Sequence, residues 1–343
     1  MTRVISKIGR DHKYRYPSRW EDRHCNSKHL HEQYTTLEHE RSFQVDNVAT
    51  QSWLRRGVMK NYSPDDLAVA NKCINAITYN KVLVLQTVYQ TNYCHNLIDS
   101  LQTLMYHDQY SEADHIFTGG GQLMKNQIET LGIKLNKTTI IDRNEHCLFN
   151  TKCLCIFNVH IKRHIKKATL FKNHVDKYID NNFEIPTKPR LIYCSRNHSE
   201  DVKHGRKMSQ ENENEIIMLL KQYCEENDLT YTLFTGEESG RTMPLVDQLK
   251  LFRQAKIVVG PHGGAMSNII YLDPTNNPRV CEFTSGTQVQ VQQNIIFGKN
   301  YNNLYAHLFN GMYDYCLIPF AIGSTPQHTT IDIDNLKKFL LDK

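Results

Sequence analysis

The stretch Lys256-Ile-Val-Val-Gly-Pro-His-Gly-Gly-Ala-Met-Ser-Asn-Ile-Ile-Tyr-Leu272 restricts the possible folds more than any other part of the chain. Ile257 to Val259 read as a buried strand, Gly260 to Gly264 as a tight turn, and the residues after it as the start of a helix. A strand leading straight into a helix is the unit of an open α/β sheet. Ligands of such sheets bind beyond the carboxyl ends of the strands, where helix amino ends and backbone N–H groups favour an anion such as a phosphate. Pro261 fixes the turn, and Gly263 and Gly264 clear side chains from the path of a ligand. The same pattern also makes a purely structural turn. His262 inside it, with Ser267 and Asn268 one helical turn on, favours a binding site.

Strands and helices alternate on both sides of this segment. Strands are expected at 81–85, 114–117, 138–141 and 153–157, with helices at 96–106, 123–131 and 161–179. The helix at 123–131 is stopped by Gly132. Residues 180–189, with two prolines and several turn formers, read as a linker. A second alternation follows, with strands at 190–194, 230–234, 257–259 and 279–283, helices at 212–226 and 245–254, and a last helix at 331–341. The expected organisation is a polar extension (1–60, irregular or partly helical), one α/β domain (61–185), a second (186–325) and a carboxy-terminal helix (326–343). Two such runs around a linker imply two doubly wound domains facing each other. At 343 residues, two domains are also the natural prior.

The net charge of +5 suits an anionic small ligand and does not by itself indicate nucleic acid. The basic clusters at 1–23 and 161–167 contain no recognisable nucleic-acid reading motif. No Gly-x-Gly-x-x-Gly follows any strand, which argues against a dinucleotide oxidoreductase. Ten cysteines in this length do not make a disulfide scaffold, and Cys155, Cys194 and Cys281 read as reduced core residues. The first ten residues lack the apolar run of a signal peptide, and no stretch approaches the roughly 20 apolar residues of a membrane helix. The expectation is a soluble, cytoplasmic chain with no membrane span. The Asn-x-Ser/Thr triplets at Asn61, Asn136 and Asn197 are then chance matches.

Further residues carry possible chemistry. His95 and Asp99, four apart, share a helix face and form either a general base with its orienting carboxylate or a surface pair. Arg196 closes a strand and is aimed at the ligand side, where a guanidinium suits a phosphate. Glu282 stands in an apolar strand, where a carboxylate needs a partner: a salt bridge or a diol such as ribose. Cys147, Cys153, Cys155, His160 and His164 miss the common zinc spacings, and Asp332-Ile-Asp334 lies far from the turns, so no metal site is expected.

Three segments together resemble the family 61 glycosyltransferases, which include eukaryotic enzymes adding N-acetylglucosamine to proteins and plant enzymes decorating xylans. Asn92-Tyr93-Cys-His95-Asn-Leu-Ile-Asp99 is similar to that family's Asn-x-x-His-x-x-x-Asp signature. Cys194-Ser-Arg196, Arg206 and the acidic helix start at 211–215 are similar to its Ser-Arg…Arg…Asn-Glu pattern. The third segment runs from Asp247 through Gly260-Pro-His-Gly-Gly-Ala-Met-Ser-Asn268 to Glu282-Phe283, with Gly264-Ala265 where many members have Ala-Gly. The resemblance covers roughly 80–300. It implies a GT-B architecture, two Rossmann-like domains with a cleft between them. It also implies inverting, metal-independent transfer, with no cofactor beyond a UDP-sugar co-substrate, xylose or N-acetylglucosamine, onto a glycan or glycoprotein. On this reading Asp99 or His95 is the base, and Asn92 and Tyr93 line the acceptor side. Arg196, Arg206, His262, Gly263, Gly264, Ala265, Ser267, Asn268 and Glu282 surround the donor. A non-catalytic nucleotide-sugar or glycan-binding module on the same fold is the alternative.

Overall fold

The computed structural model describes residues 42–46, 52–55, 58–60, 76–87, 93–119, 121–141, 147–159, 165–197, 207–238, 240–284, 313–321 and 329–341. The chain divides between Phe171 and Lys172 into two units.

The first unit is built on a seven-stranded mixed sheet. Its strands are β1 (Ser42–Asp46), β2 (Ser52–Arg55), β3 (Val58–Lys60), β4 (Ala76–Thr87), β5 (His115–Gly119), β6 (Thr138–Ile141) and β7 (Cys147–Val159). β4 lies between β5 and β7, parallel to both, and β6 extends the parallel set beyond β5. The chain therefore steps from β4 outward to β6, then returns to the other side of β4 with β7. That reversal is a topological switch point, and it lies at the carboxyl ends of β4 and β7. β1 and β2 pair antiparallel with β7, and β3 with β2. These three strands fall where the sequence reads as an irregular or helical extension. They are three to five residues long and lie in a polar stretch of sequence; β1, Ser-Phe-Gln-Val-Asp, does alternate polar and apolar residues, a strand signal which that expectation leaves out.

After β4 comes a helical turn (Tyr93–His95), a π-helical turn (Asn96–Ser100) and α1 (Leu101–Tyr110). Leu97, Leu101 and Leu104 are fully buried along one face, as their spacing requires. Asp108 ties the end of α1 to the start of β6: it accepts from the Asn136 and Lys137 amides at 2.9 and 3.1 Å and from the Thr138 hydroxyl at 2.7 Å. α2 (Gly121–Thr130) ends at Gly132, whose φ of 57° is the left-handed conformation that closes a helix.

The second unit begins in α3 (Ile165–Asn182) and contains a five-stranded sheet in which every pairing is parallel. Its strands are β8 (Arg190–Cys194), β9 (Thr230–Phe234), β12 (Ala255–Pro261), β13 (Arg279–Thr284) and β14 (Asp314–Pro319), in the order β14-β13-β12-β8-β9. A small hairpin, β10 (Glu237–Glu238) with β11 (Arg241–Thr242), follows β9. The helices are α4 (Gln210–Glu226), α5 (Leu245–Arg253) and α6 (Ile333–Leu341). Leu191, Tyr193, Ile257, Val259, Cys281 and Phe283 form one sheet face and pack against Ile216 and Leu220 of α4 and Leu336, Phe339 and Leu340 of α6. The alternate residues Ile192, Val258 and Val280 are equally buried on the other face. A parallel sheet covered on both faces explains why its strands read as continuous apolar runs. Cys194 and Cys281 are unbridged and buried. Burial pushes both thiols up, which makes them inert core residues.

Candidate active site

In the second unit the chain runs from β8 outward to β9, then crosses back to β12, β13 and β14. The switch point therefore lies between β8 and β12. Two segments leave the sheet there: Ser195-Arg196-Asn197 from β8, and His262-Gly263-Gly264 from β12. Arg196 Nη1 donates to the His262 carbonyl at 2.9 Å. The guanidinium lies across the turn so closely that a Cβ on Gly263 would sit 2.2 Å from Nη1. Among the described residues, a Cβ at Gly264 would meet nothing within 4 Å. The two glycines therefore do different things: Gly263 makes room for the arginine, and Gly264 leaves open space above the turn. The residues after the turn form the expected helix, of the tighter 3-10 type, Gly264–Tyr271. Ser267 Oγ donates to the Gly264 carbonyl at 2.6 Å, and Asn268 donates to Gln248 at 3.0 Å. Both side chains are buried, so they brace the turn from beneath. Ala265 is half-buried.

Glu282, from β13, is wholly buried under the turn. One carboxylate oxygen accepts from His262 Nδ1, and the other accepts from the Tyr315 hydroxyl at 2.5 Å. A second buried carboxylate, Glu213 in the first turn of α4, lies behind the β8 segment. It accepts from Ser195 Oγ at 2.6 Å, from the Tyr193 hydroxyl at 3.2 Å and from the Asn197 side-chain amide. Burial, with Glu213 adding to it, pushes the Tyr193 hydroxyl well up, so it stays a donor. Asn197 also donates to the Met208 carbonyl at 3.1 Å. The loop that carries Arg196 is thus held from below by a single acid.

In the first unit, His95 and Asp99 sit just past β4, at the switch-point end of that sheet. His95 Nδ1 and Asp99 Oδ2 are 2.6 Å apart. The imidazole is 24% exposed and the carboxylate 7%, so the acid lies under the ring. The backbone here makes a π-helical turn, a rare deviation found often at functional sites. Thr103 Oγ1 donates to the Asp99 carbonyl at 2.8 Å, one turn back along the same helical run. Tyr93 is half-buried, and its carbonyl accepts from Gln127 at 3.4 Å. Asn92, Arg206, His160 and His164 lie outside the described residues, as do the side chains of Cys147, Cys153 and Cys155.

The family model described as glycosyltransferase 61 matches residues 93–277, more than half of the chain. The chain belongs to the glycosyltransferase 61 family. It is accordingly a transferase that works on a donor and an acceptor substrate. No curated protein matches it. The match to the glycosyltransferase 61 family takes in the His95–Asp99 dyad, Arg196 and the whole 260–268 turn, and ends before Glu282.

Among the described residues, no helix is long and apolar enough to cross a membrane. Tyr315 was not reachable by motif, whereas Ser195 and Glu213 lie inside the segments of the family resemblance but were not singled out as site residues. Glu213 had a usable signal, an acid in the first turn of a helix capped by Ser209, whose side chain accepts from the Asn212 amide. Tyr315 lies in β14, an element the sequence pattern does not reveal.

Proposed function

We propose that this chain is an inverting glycosyltransferase of GT-B arrangement that moves a sugar, xylose or N-acetylglucosamine, from a UDP-linked donor to a hydroxyl of a glycan or glycoprotein. The observation that carries the reading is the Arg196 guanidinium laid across Gly263 at the second unit's switch point, in a chain of a glycosyltransferase family. A cation and a glycine turn at that place suit a pyrophosphate. In the proposal the diphosphate occupies the open space at Gly264, and Arg206 joins Arg196. Arg196 and His262 take up the negative charge that develops on the leaving group, so the protein's own groups do this work without a metal.

His95 is proposed as the base and Asp99 as the residue that orients it. The exposures favour this order, because the imidazole faces outward and the carboxylate lies beneath it. The acceptor O–H proton passes to His95 as the oxygen attacks the anomeric carbon, the bond to the diphosphate breaks, and the configuration inverts. Asn92 and Tyr93 flank the dyad in sequence and are proposed to face the acceptor.

The test is sugar transfer and UDP binding by wild type, His95→Ala and Asp99→Asn across a panel of UDP-sugars and acceptors. Both variants are expected to bind UDP like wild type and to lose transfer, His95→Ala by about 10²- to 10⁴-fold. Full transfer by both would remove the dyad from the chemistry. Tight UDP-sugar binding by wild type without transfer or donor hydrolysis would make the chain a binding module on the same fold.

A further inference from the structure

The geometry points to Glu282 and Tyr315 as positioning residues that decide which ring atom of His262 meets the donor diphosphate. This rests on the reading that UDP docks at the 260–264 turn. The family match ends before both residues, and Tyr315 belongs to a strand absent from the sequence pattern.

Glu282 stands beside Gly260 in the β12–β13 pairing, directly under the place where the chain leaves the sheet. Tyr315 reaches it from the next strand over. The carboxylate is 0% exposed, and its two oxygens accept from His262 Nδ1 and from the Tyr315 hydroxyl. His262 is its one ionic partner among the described residues. A carboxylate with no outward face is badly placed to take the hydroxyls of a ribose. It is well placed to do what carboxylates do behind functional histidines, which is to accept from Nδ1–H and leave Nε2 as the atom the ring presents; a diphosphate oxygen accepts from Nε2–H, so the ring that meets it carries both protons. Tyr315 completes the arrangement. Its hydroxyl occupies the second oxygen, so the carboxylate cannot swing away from the ring without abandoning a 2.5 Å hydrogen bond in a dry site. The imidazole is 12% exposed, and its backbone amide is held by the Phe283 carbonyl at 2.9 Å, so ring and backbone are both tied to β13. The turn thus presents a histidine of fixed orientation next to the Arg196 guanidinium.

The experiment measures binding of UDP, UMP and 2′,3′-dideoxy-UDP to wild type, Glu282→Gln and Tyr315→Phe by calorimetry, with melting temperatures as a check on folding. If the pair positions His262, both variants weaken UDP, about tenfold for Tyr315→Phe and up to about 100-fold for Glu282→Gln, the range carried by outer partners of functional histidines. UMP, which lacks the second phosphate, changes little. The preference for UDP over its dideoxy analogue stays as in wild type. Loss of that preference in Glu282→Gln would make Glu282 a ribose ligand and overturn the inference. Equal weakening of UDP and UMP, or no weakening in a well-folded Tyr315→Phe, would overturn it as well. If wild type binds none of the three, the docking reading fails and the inference fails with it, a result that differs from the others in the wild-type measurement alone.

Discussion

A methyl group added at Gly260, Gly263 or Gly264 would meet three different surroundings. At Gly260 it meets the Cys194 carbonyl at 2.7 Å and the Cys194 Cβ at 2.9 Å, so two strands would have to part. Gly260→Ala is expected to lower unfolding stability by about 1–3 kcal/mol, measured by chemical denaturation. At Gly263 the nearest atoms all belong to the Arg196 side chain, which can move. Gly263→Ala is therefore expected to fold normally and to lose UDP affinity as Arg196→Ala does, by about 1.5–3 kcal/mol for a charged hydrogen bond. The double variant should bind no worse than Arg196→Ala, since both changes remove one interaction. Gly264→Ala should leave melting unchanged. A double variant that loses the sum of both effects would separate the glycine from the arginine. The sequence marked all three glycines as a ligand turn. It did not separate their tasks, because the Arg196 contact joins residues 66 apart and depends on β8 and β12 being neighbours.

At the scale of elements, a buried charge network ties α3 to the far end of the 3-10 helix that follows the turn. Lys172 donates to Asp176 and, at 2.8 Å, to the Leu272 carbonyl. Arg253, at the end of α5, donates to Asp176 at 2.6 Å, to Asp180 at 2.5 Å and to the same carbonyl at 3.3 Å. A groove of about 450 Å³ beside it, lined by Asp180, Pro186, Arg253, Lys256 and Asp273, opens at the amino-terminal edge of the sheet, away from the switch point. Burial pulls Lys172 from 10.5 down to about 8, against the opposing pull of Asp176. Between those values the unfolded chain binds the proton and the folded one does not. Stability from this group therefore rises as pH climbs from about 8 to 10.5 and is level below about 8. Lys172→Met is expected to abolish that rise in denaturation curves taken across the window; a curve that still climbs equally would clear Lys172 of the effect. The helical, basic character of α3 was plain in the sequence. Its role as a tie was not, because one of its acceptors lies 100 residues later.

Across the whole molecule, stability should be lost on the acid side through His107 of the first unit. Burial, with Lys167 and Lys137 adding to it, holds this histidine from 6.5 down to about 3. The unfolded chain takes up the proton between those values and the folded chain does not. The protein is expected to lose up to about 1.4 kcal/mol per pH unit as pH falls through that window, levelling below about 3. His107→Gln should flatten this limb, and an unchanged slope would place the acid sensitivity elsewhere.

The α/β alternation that the sequence displays from Lys81 onward is present in both units, and β8 and β9 fall on the residues expected. The strand orders were not legible, since apolar runs of the same length say nothing about their neighbours. β14, Asp314-Tyr-Cys-Leu-Ile-Pro319, is as long as the strands that were read, and it escaped because no clear helix pattern precedes it in the sequence. Asn212 shows the same limit: its side chain pairs with both backbone groups of Ile331, so the start of α4 is anchored by residues far downstream.

That anchoring bears on how the second unit is born. Its apolar sheet face is sealed by Leu336, Phe339 and Leu340, and β14 takes its place at the sheet's edge only once residues 314–319 have been made. Among the described residues, a nascent chain that has made β13 but not yet α6 therefore covers that face of β8, β12 and β13 with α4 alone. The ribosome must deliver α6 before the 260–268 turn rests on a closed core, so any pause in that interval leaves part of this apolar face open to wrong partners.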